Sequence, residues 1–206
     1  QVGTPTTMAS LYALTKEDKQ LARALTQLLR HGKPRKLNFR PDGFVQLEAL
    51  QTVPNFDRLS VELAQAICRE DNKNRFSLSE EASGWWMRAN QGHSIGGLNP
   101  EDLLQRITDA SEISNIVHGT FYNRWPSIRS SGLSRMKRNH VHLARGLPGD
   151  AGVISGMRNT AEILIYVDAA KAMEQGIVFF VSENDVVLTT GPVPTSCFSR
   201  VVDRGT

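Results

Sequence analysis

Two stretches of this chain carry residues that could do chemistry together. His118-Gly119-Thr120 follows the apolar pair Ile116-Val117. Further on, Arg138-Asn139-His140-Val141-His142-Leu143-Ala144-Arg145 forms a cationic run with two histidines. Gly132-Leu133-Ser134 precedes that run, and Leu147-Pro148-Gly149-Asp150-Ala151-Gly152 follows it. A histidine-glycine pair on an apolar strand, then a helix, then a cationic strand could hold a dinucleotide and a second phosphate. Cations gather twice more, at Arg30, His31, Lys33, Arg35 and Lys36 and at Lys73 and Arg75, and Arg135 and Lys137 extend the densest cluster. Arginine forks bind phosphate oxygens bidentately and stay charged at ordinary pH. The three clusters either converge on one phosphate or cover three separate solvated faces, and spacing alone leaves both open.

Other chemistries find little support. There is no GxxxxGK[ST] phosphate loop and no GxGxxG dinucleotide fingerprint. His140 and His142 alternate on a strand and so share a face, yet no third ligand accompanies them, and no metal is expected. Of the adjacent Trp85 and Trp86, one belongs to the core and the other could stack on a base. Cys68 and Cys197 lie far apart and read as reduced thiols of an intracellular, cytoplasmic or nuclear protein. With 206 residues, 40% of them hydrophobic, the chain can build one large domain or two small ones. The net charge of +3 makes a polyanionic partner plausible without requiring one. No apolar run approaches the ~20 residues that span a membrane, so no membrane partner is expected. Nothing points to an obligate dimer, and a monomer is expected. The chain begins at Gln1 rather than Met, which reads as a trimmed start that would have removed any original targeting signal.

The elements that must position these residues follow from periodicity. Residues 1–15 read as a mobile leader rich in Thr, Pro, Gly and Ser. A helix starts near Thr15, with Leu21, Ala24, Leu25, Leu28 and Leu29 on one face. Gly32 caps it and Pro34 stops it, which puts Arg30 and His31 in the last turn, where cations also suit the helix dipole. Pro41-Asp42-Gly43 turns into a short strand, and two short helices follow around 47–50 and 61–67. Residues 72–78 and 85–89 read as a two-stranded wing. That order is the pattern of a winged-helix lobe over 16–97. Residues 98–114 read as a connector with a short helix at 101–110. Over 115–206 the strands near 116–118, 140–144, 161–167, 178–181 and 186–189 alternate with helices at 123–131 and 169–175. The whole is therefore expected to be α+β, its second half a sandwich or split barrel.

Several pieces in this order carry a resemblance: Leu28-Leu29-Arg30-His31, Asp42-Gly43-Phe44, Asn74-Arg75-Phe76, Ala89-Asn90-Gln91-Gly92-His93-Ser94, His118-Gly119-Thr120, Arg138-Asn139-His140-Val141-His142-Leu143 and Gly152-Val153-Ile154-Ser155-Gly156-Met157-Arg158. From about Lys19 to Thr190 the chain resembles the NAD-dependent RNA (tRNA) 2'-phosphotransferase family. The resemblance implies an N-terminal winged-helix lobe for RNA and a C-terminal lobe of the ADP-ribosyltransferase fold for NAD. It implies a catalytic tetrad of Arg30, His31, Arg75 and Arg138. It makes His118 and His142 the two histidines of the NAD site, with Gly119, Thr120, Gly132, Leu133, Leu143 and Ala144 around the same substrate. Relatives that modify proteins carry a glutamate on a later strand. Here Asp185-Val186-Val187-Leu188 is expected to offer an apolar residue.

The implied reaction has two steps. An internal RNA 2'-phosphate, left at a splice junction, attacks the anomeric carbon of the nicotinamide ribose and expels nicotinamide. The ribose 2''-hydroxyl then attacks phosphorus, restoring the RNA 2'-hydroxyl and releasing ADP-ribose 1'',2''-cyclic phosphate. Two other readings compete with it: an ADP-ribosyltransferase acting on terminal nucleic-acid phosphates, and a non-catalytic winged-helix nucleic-acid-binding protein.

Overall fold

Helix α1, Lys16–His31, sets the frame for the N-terminal half. Thr15 and Asp18 close a capping box at its start, the Thr15 hydroxyl accepting from the Asp18 N–H at 3.1 Å. Leu21, Leu25, Leu28 and Leu29 recur on one face and are buried. Gly32 ends the helix in the left-handed conformation, φ 66°, and donates its N–H to the Leu28 carbonyl at 2.8 Å. The computed structural model describes residues 13–33, 37–150, 153 and 156–205. Leu14 packs on the core beside Thr15. Residues 1–12 of the expected leader, the stop at Pro34, and Arg35, Lys36, Gly152, Ile154 and Ser155 lie outside the described residues.

Strand β1 (Val45–Gln46) leads into helices α2 (Leu47–Gln51) and α3 (Val61–Glu70). The wing is β2 (Phe76–Glu81) and β3 (Gly84–Ala89), and with β1 it makes an antiparallel sheet of order β1-β3-β2. α1, α2, α3 and this sheet enclose one apolar core that includes Leu25, Leu28, Leu50, Ile67 and Met87. Trp85 packs on that core. Trp86 lies under the Arg40 guanidinium, 4.7 Å from its ring centroid, so it is already stacked within the protein.

The second half holds two antiparallel sheets, of order β10-β7-β5 and β4-β8-β9-β6. The first consists of β5 (Ile116–Thr120), β7 (Ile163–Val167) and β10 (Phe198–Asp203). The second consists of β4 (Gln105–Ile107), β6 (Val141–Leu143), β8 (Phe179–Val181) and β9 (Val187–Thr189). Ile116, Ile163 and Ile165 from one sheet and Val141, Leu143 and Phe179 from the other share a single core. A bridge joins the sheets where Val117 and Ala144 exchange two hydrogen bonds of 2.8 Å. Helices α5 (Trp125–Ser131) and α6 (Ala169–Glu174) complete the half. The mixed α+β character expected from the sequence is present.

Two elements differ from expectation. The helix expected at 101–110 stops after one turn: α4 is Pro100–Leu103, and the chain then extends into β4. β4 pairs with β8, and Leu103, Leu104, Phe180 and Leu188 form a buried cluster. Residues 105–107, within the stretch read as a connector, thus form an edge strand of the second sheet. Leu103, Leu104 and Ile107 show no clear period, and the pairing partner lies far away in sequence. The second element is β10, which periodicity does not predict. It pairs along β7 from Phe198 to Asp203.

Contacts between the halves are specific. The Asn184 side-chain amide, on a residue 1% exposed, donates to the Lys73 carbonyl at 2.9 Å. Glu183 accepts from Ser77 at 2.7 Å and from Arg88 at 2.9 Å. The Asn139 N–H donates to the His93 carbonyl at 2.8 Å and its side chain to the Ile95 carbonyl at 2.9 Å.

Candidate functional site

A cavity of about 790 Å³ opens between the halves. The first half contributes Arg30 from the last turn of α1, Lys73 and Arg75 from the turn before β2, and Gln91. The second contributes His118, Gly119 and Thr120 from β5, the 121–124 turn, Arg138, His142, Gly156, Met157, Arg158 and Glu162. The three cationic clusters therefore send arginines into one space. Six Lys or Arg side chains line it with one carboxylate, Glu162, and that carboxylate already accepts the Tyr122 N–H at 2.8 Å.

The cations differ in how they are held. Arg75 is braced by Asp71, whose carboxylate accepts from both the Arg75 backbone N–H and its guanidinium. Arg30, Lys73, Arg124 and Arg138 have no ion-pair partner among the described residues. The Arg30 Nε is buried with no hydrogen-bond partner among them. Burial and then the neighbouring Arg138 and Arg75 lower the Arg30 pKa to about 10, so it is still charged at neutral pH. Burial and Arg158 lower that of Arg138 in the same way. Gly92, at φ 90°, lies against the Arg30 guanidinium; a Cβ there would come within 3.0 Å of its Nε. Uncompensated cations gathered in one half-enclosed space form a site for a multiply charged anion.

Both cavity histidines are neutral. The His118 Nδ1–H donates to the His142 carbonyl at 2.9 Å, while burial and Arg138 lower its pKa. That bond fixes the tautomer and makes Nε2 an acceptor, suited to a hydroxyl. His142 is pushed well below the usual range by burial, Arg138 and Arg30. Its Nδ1–H donates to the His140 carbonyl at 3.0 Å. Nε2 lies 2.9 Å from the Gln91 Oε1; a neutral ring has one N–H, so with Nδ1 donating, Nε2 is an acceptor that the Gln91 NH₂ meets when the amide is turned about its axis. His31 does not line the cavity. Its Nδ1 shares a 2.8 Å hydrogen bond with the Ser94 hydroxyl, and burial, Arg138, Arg30 and Lys33 lower its pKa.

The remaining expected site residues are placed elsewhere. Gly132 packs its α-carbon against the Val193 carbonyl, and Leu133, 1% exposed, pairs with Val193 in the core. Leu143 and Ala144 are fully buried, in the core and at the bridge between sheets. They support the cavity wall from behind. Val186, Val187 and Leu188 are buried apolar residues, while Asp185 ion-pairs with Arg145 at 2.7 Å and is outside the lining. Among the described residues no group of His, Cys, Asp and Glu could hold a metal ion. Gln91, the 121–124 turn, Met157, Arg158 and Glu162 join the site without having been expected there. The sequence signal for Gln91 and Arg158 was their place within two of the quoted motif pieces.

All five histidines are held below the ordinary value. His93 is the extreme case, lowered to about 3 by burial, Arg30 and His140. The folded state keeps these rings neutral, whereas the unfolded chain binds protons near pH 6.5. Their contribution to stability is therefore complete above about pH 6.5 and is lost as pH falls toward about 3. His93 alone is expected to cost about 2 kcal/mol between pH 7 and pH 5. Urea-unfolding midpoints at the two pH values measure this, and a His93→Gln variant should show a smaller drop.

The family model described as "RNA 2'-phosphotransferase, Tpt1 / KptA family" matches residues 16–191. The chain is 44% identical over 184 residues to the putative tRNA 2'-phosphotransferase of Schizosaccharomyces pombe, covering 87% of this chain and 50% of that protein. It is 46% identical over 176 residues to the tRNA 2'-phosphotransferase 1 of Mus musculus, covering 84% and 70%. Against the tRNA 2'-phosphotransferase of Saccharomyces cerevisiae the identity is 35% over 198 residues, covering 92% and 86%. The chain thus spans half the length of the Schizosaccharomyces pombe relative.

Proposed function

The chain belongs to the RNA 2'-phosphotransferase, Tpt1 / KptA family, and from that premise we propose that it removes an internal 2'-phosphate from RNA, including spliced tRNA, by transfer to NAD. The observation that carries this reading is the meeting of Arg30, Arg75 and Arg138 with His118, Gly119 and His142 in one cavity. A volume of about 790 Å³ lies in the range of small-molecule sites. The acceptor nitrogen of neutral His118 suits a ribose hydroxyl, and the unpaired cations suit a pyrophosphate beside the RNA phosphate. The residues present therefore fit NAD as a second substrate. The N-terminal half is the winged-helix RNA lobe in this reading, and the C-terminal half is the ADP-ribosyltransferase-like lobe, a split β-sandwich. The protein acts as a monomer inside the cell, where Cys68 and Cys197 stay reduced.

Each residue has a part in two steps. Arg30, Arg75 and Arg138 hold the 2'-phosphate in line with the anomeric carbon of the nicotinamide ribose, and His118, Gly119, Thr120 and His142 hold that ribose. The phosphate is already a nucleophile and needs no base. Its attack expels nicotinamide and leaves the RNA phosphate ADP-ribosylated. In the second step the ribose 2''-hydroxyl attacks phosphorus, charge grows on the phosphate oxygens, and the three arginines stabilise it. Neutral His31, next to Arg30 in the last turn of α1, donates a hydrogen bond to the departing RNA 2'-oxygen once RNA is bound, and that oxygen takes up the proton given up by the 2''-hydroxyl.

Incubation with NAD and a short RNA bearing one internal 2'-phosphate tests the reading. RNA with a free 2'-hydroxyl plus ADP-ribose 1'',2''-cyclic phosphate is the expected outcome. A stable ADP-ribosyl adduct would instead indicate transfer without the second step. Binding without turnover would indicate a nucleic-acid-binding protein.

A further inference from the structure

A second cavity, of about 610 Å³, lies on the outer side of α1 and α3. Arg30 and Arg75 line both cavities, so the two spaces meet at the proposed phosphate grip. From that point Gln27, Arg23 and Lys19 run back along α1 and also line the second cavity. Steps of three or four residues keep Lys19, Arg23, Gln27 and Arg30 on one stripe, advancing about 6 Å per four residues. Lys19, Arg23 and Gln27 are exposed. Neither Lys19 nor Arg23 has an ion-pair partner among the described residues. The two carboxylates in this cavity are engaged, Asp71 by Arg75 and Glu70 by Arg69 at 3.6 Å.

We propose that the Lys19–Arg23–Gln27 ridge of α1 is the track for the RNA strand on one side of the reacting nucleotide, its phosphates passing Lys19 and Arg23 before the 2'-phosphate reaches Arg30 and Arg75. A strand that delivers a phosphate to Arg30 and Arg75 must leave the catalytic cavity, and the ridge is a cationic surface outside that cavity that is continuous with those two arginines. Paired carboxylates and unpaired cations favour a polyanion there. Leu14, Ala22, Ile67 and Phe76 supply the apolar part of the lining. The track rests on reading the first cavity as the RNA phosphate site.

The test uses the whole chain and two oligoribonucleotides of one sequence, with and without an internal 2'-phosphate. Binding of the unphosphorylated RNA is measured against salt for the wild type and for a Lys19→Gln, Arg23→Gln double variant. The double variant should bind about tenfold more weakly at moderate salt. Its plot of log affinity against log salt should be shallower by about 1.4, ~0.7 for each single-strand phosphate that no longer meets a cation. Lys171→Gln removes an exposed cation on α6, away from the ridge, and should leave the slope unchanged. In turnover of the phosphorylated RNA the loss should fall on KM for RNA, with KM for NAD unmoved. Wild-type affinity and slope in the double variant would overturn the track. Failure of the wild type to dephosphorylate RNA, with the ridge dependence of binding intact, would overturn the proposed reaction and leave the track standing.

Discussion

Replacing Arg138 by alanine is expected to halt the reaction between its two steps, so that ADP-ribosylated RNA accumulates and release of 2'-hydroxyl RNA falls by about 10²–10³-fold. In the proposed reaction the first step starts from a phosphate that is already anionic and ends with one negative charge fewer on it, so it makes the lighter electrostatic demand. The second gathers charge on the phosphate oxygens, and Arg138 lines that cavity with no carboxylate of its own among the described residues. Arg30 sits in the last turn of α1 against Gly92 and is repelled by Arg138, so removing Arg138 takes no attractive partner from it. Removing Arg138 also relieves the charge repulsion on His118 and His142, which both it and burial depress. Single-turnover analysis of labelled RNA resolves the adduct from the product. If NAD binding disappears and no adduct forms, Arg138 belongs to the NAD site and the division of labour is wrong.

Gly132→Ala should destabilise the fold by about 3 kcal/mol or more while the catalytic residues stay untouched. Gly132 has φ 79°, a conformation that side chains resist. A Cβ there would lie 2.3 Å from the Val193 carbonyl oxygen, and that atom is backbone. The carbonyl cannot move aside, because it accepts the Leu133 N–H at 2.8 Å while the Val193 N–H donates back to Leu133 at 2.9 Å. Urea unfolding measures the loss. The resemblance to known relatives put Gly132 and Leu133 beside NAD, and this variant separates the two roles. A normal unfolding midpoint with a raised KM for NAD would return Gly132 to the substrate site.

How much was legible follows the range of the interactions. α1 was readable to its ends, since its capping box, its leucine stripe and its Gly32 cap are all local. That placed Arg30 and His31 correctly in the last turn. The strands from β5 to β9 were readable because they are apolar runs between turns. β10 was not, because Phe198–Asp203 is mostly exposed and gains its structure from pairing with β7. β4 was hidden for a similar reason. The cationic clusters were visible one by one, but composition could not say that they converge. The resemblance implied which arginines act together. Gln91, Lys73 and Arg158 meet the site only through contacts between segments far apart in sequence, and the mild overall charge of +3 conceals a cavity lined by six cations and one carboxylate.

The amide of Asn184 on the Lys73 carbonyl, and Glu183 between Ser77 and Arg88, have a consequence for error control. On the proposed chemistry, a damaged enzyme that completed one step alone would leave RNA carrying a bulky ADP-ribose scar. In that reading, ownership of the site is divided between the halves. His118 and Arg138 come from one half and Arg30 and Arg75 from the other, and the Asn184 and Glu183 contacts hold the Arg75 turn in place. On the proposed chemistry, a chain with either half misfolded lacks the assembled centre and would leave its substrate unmarked.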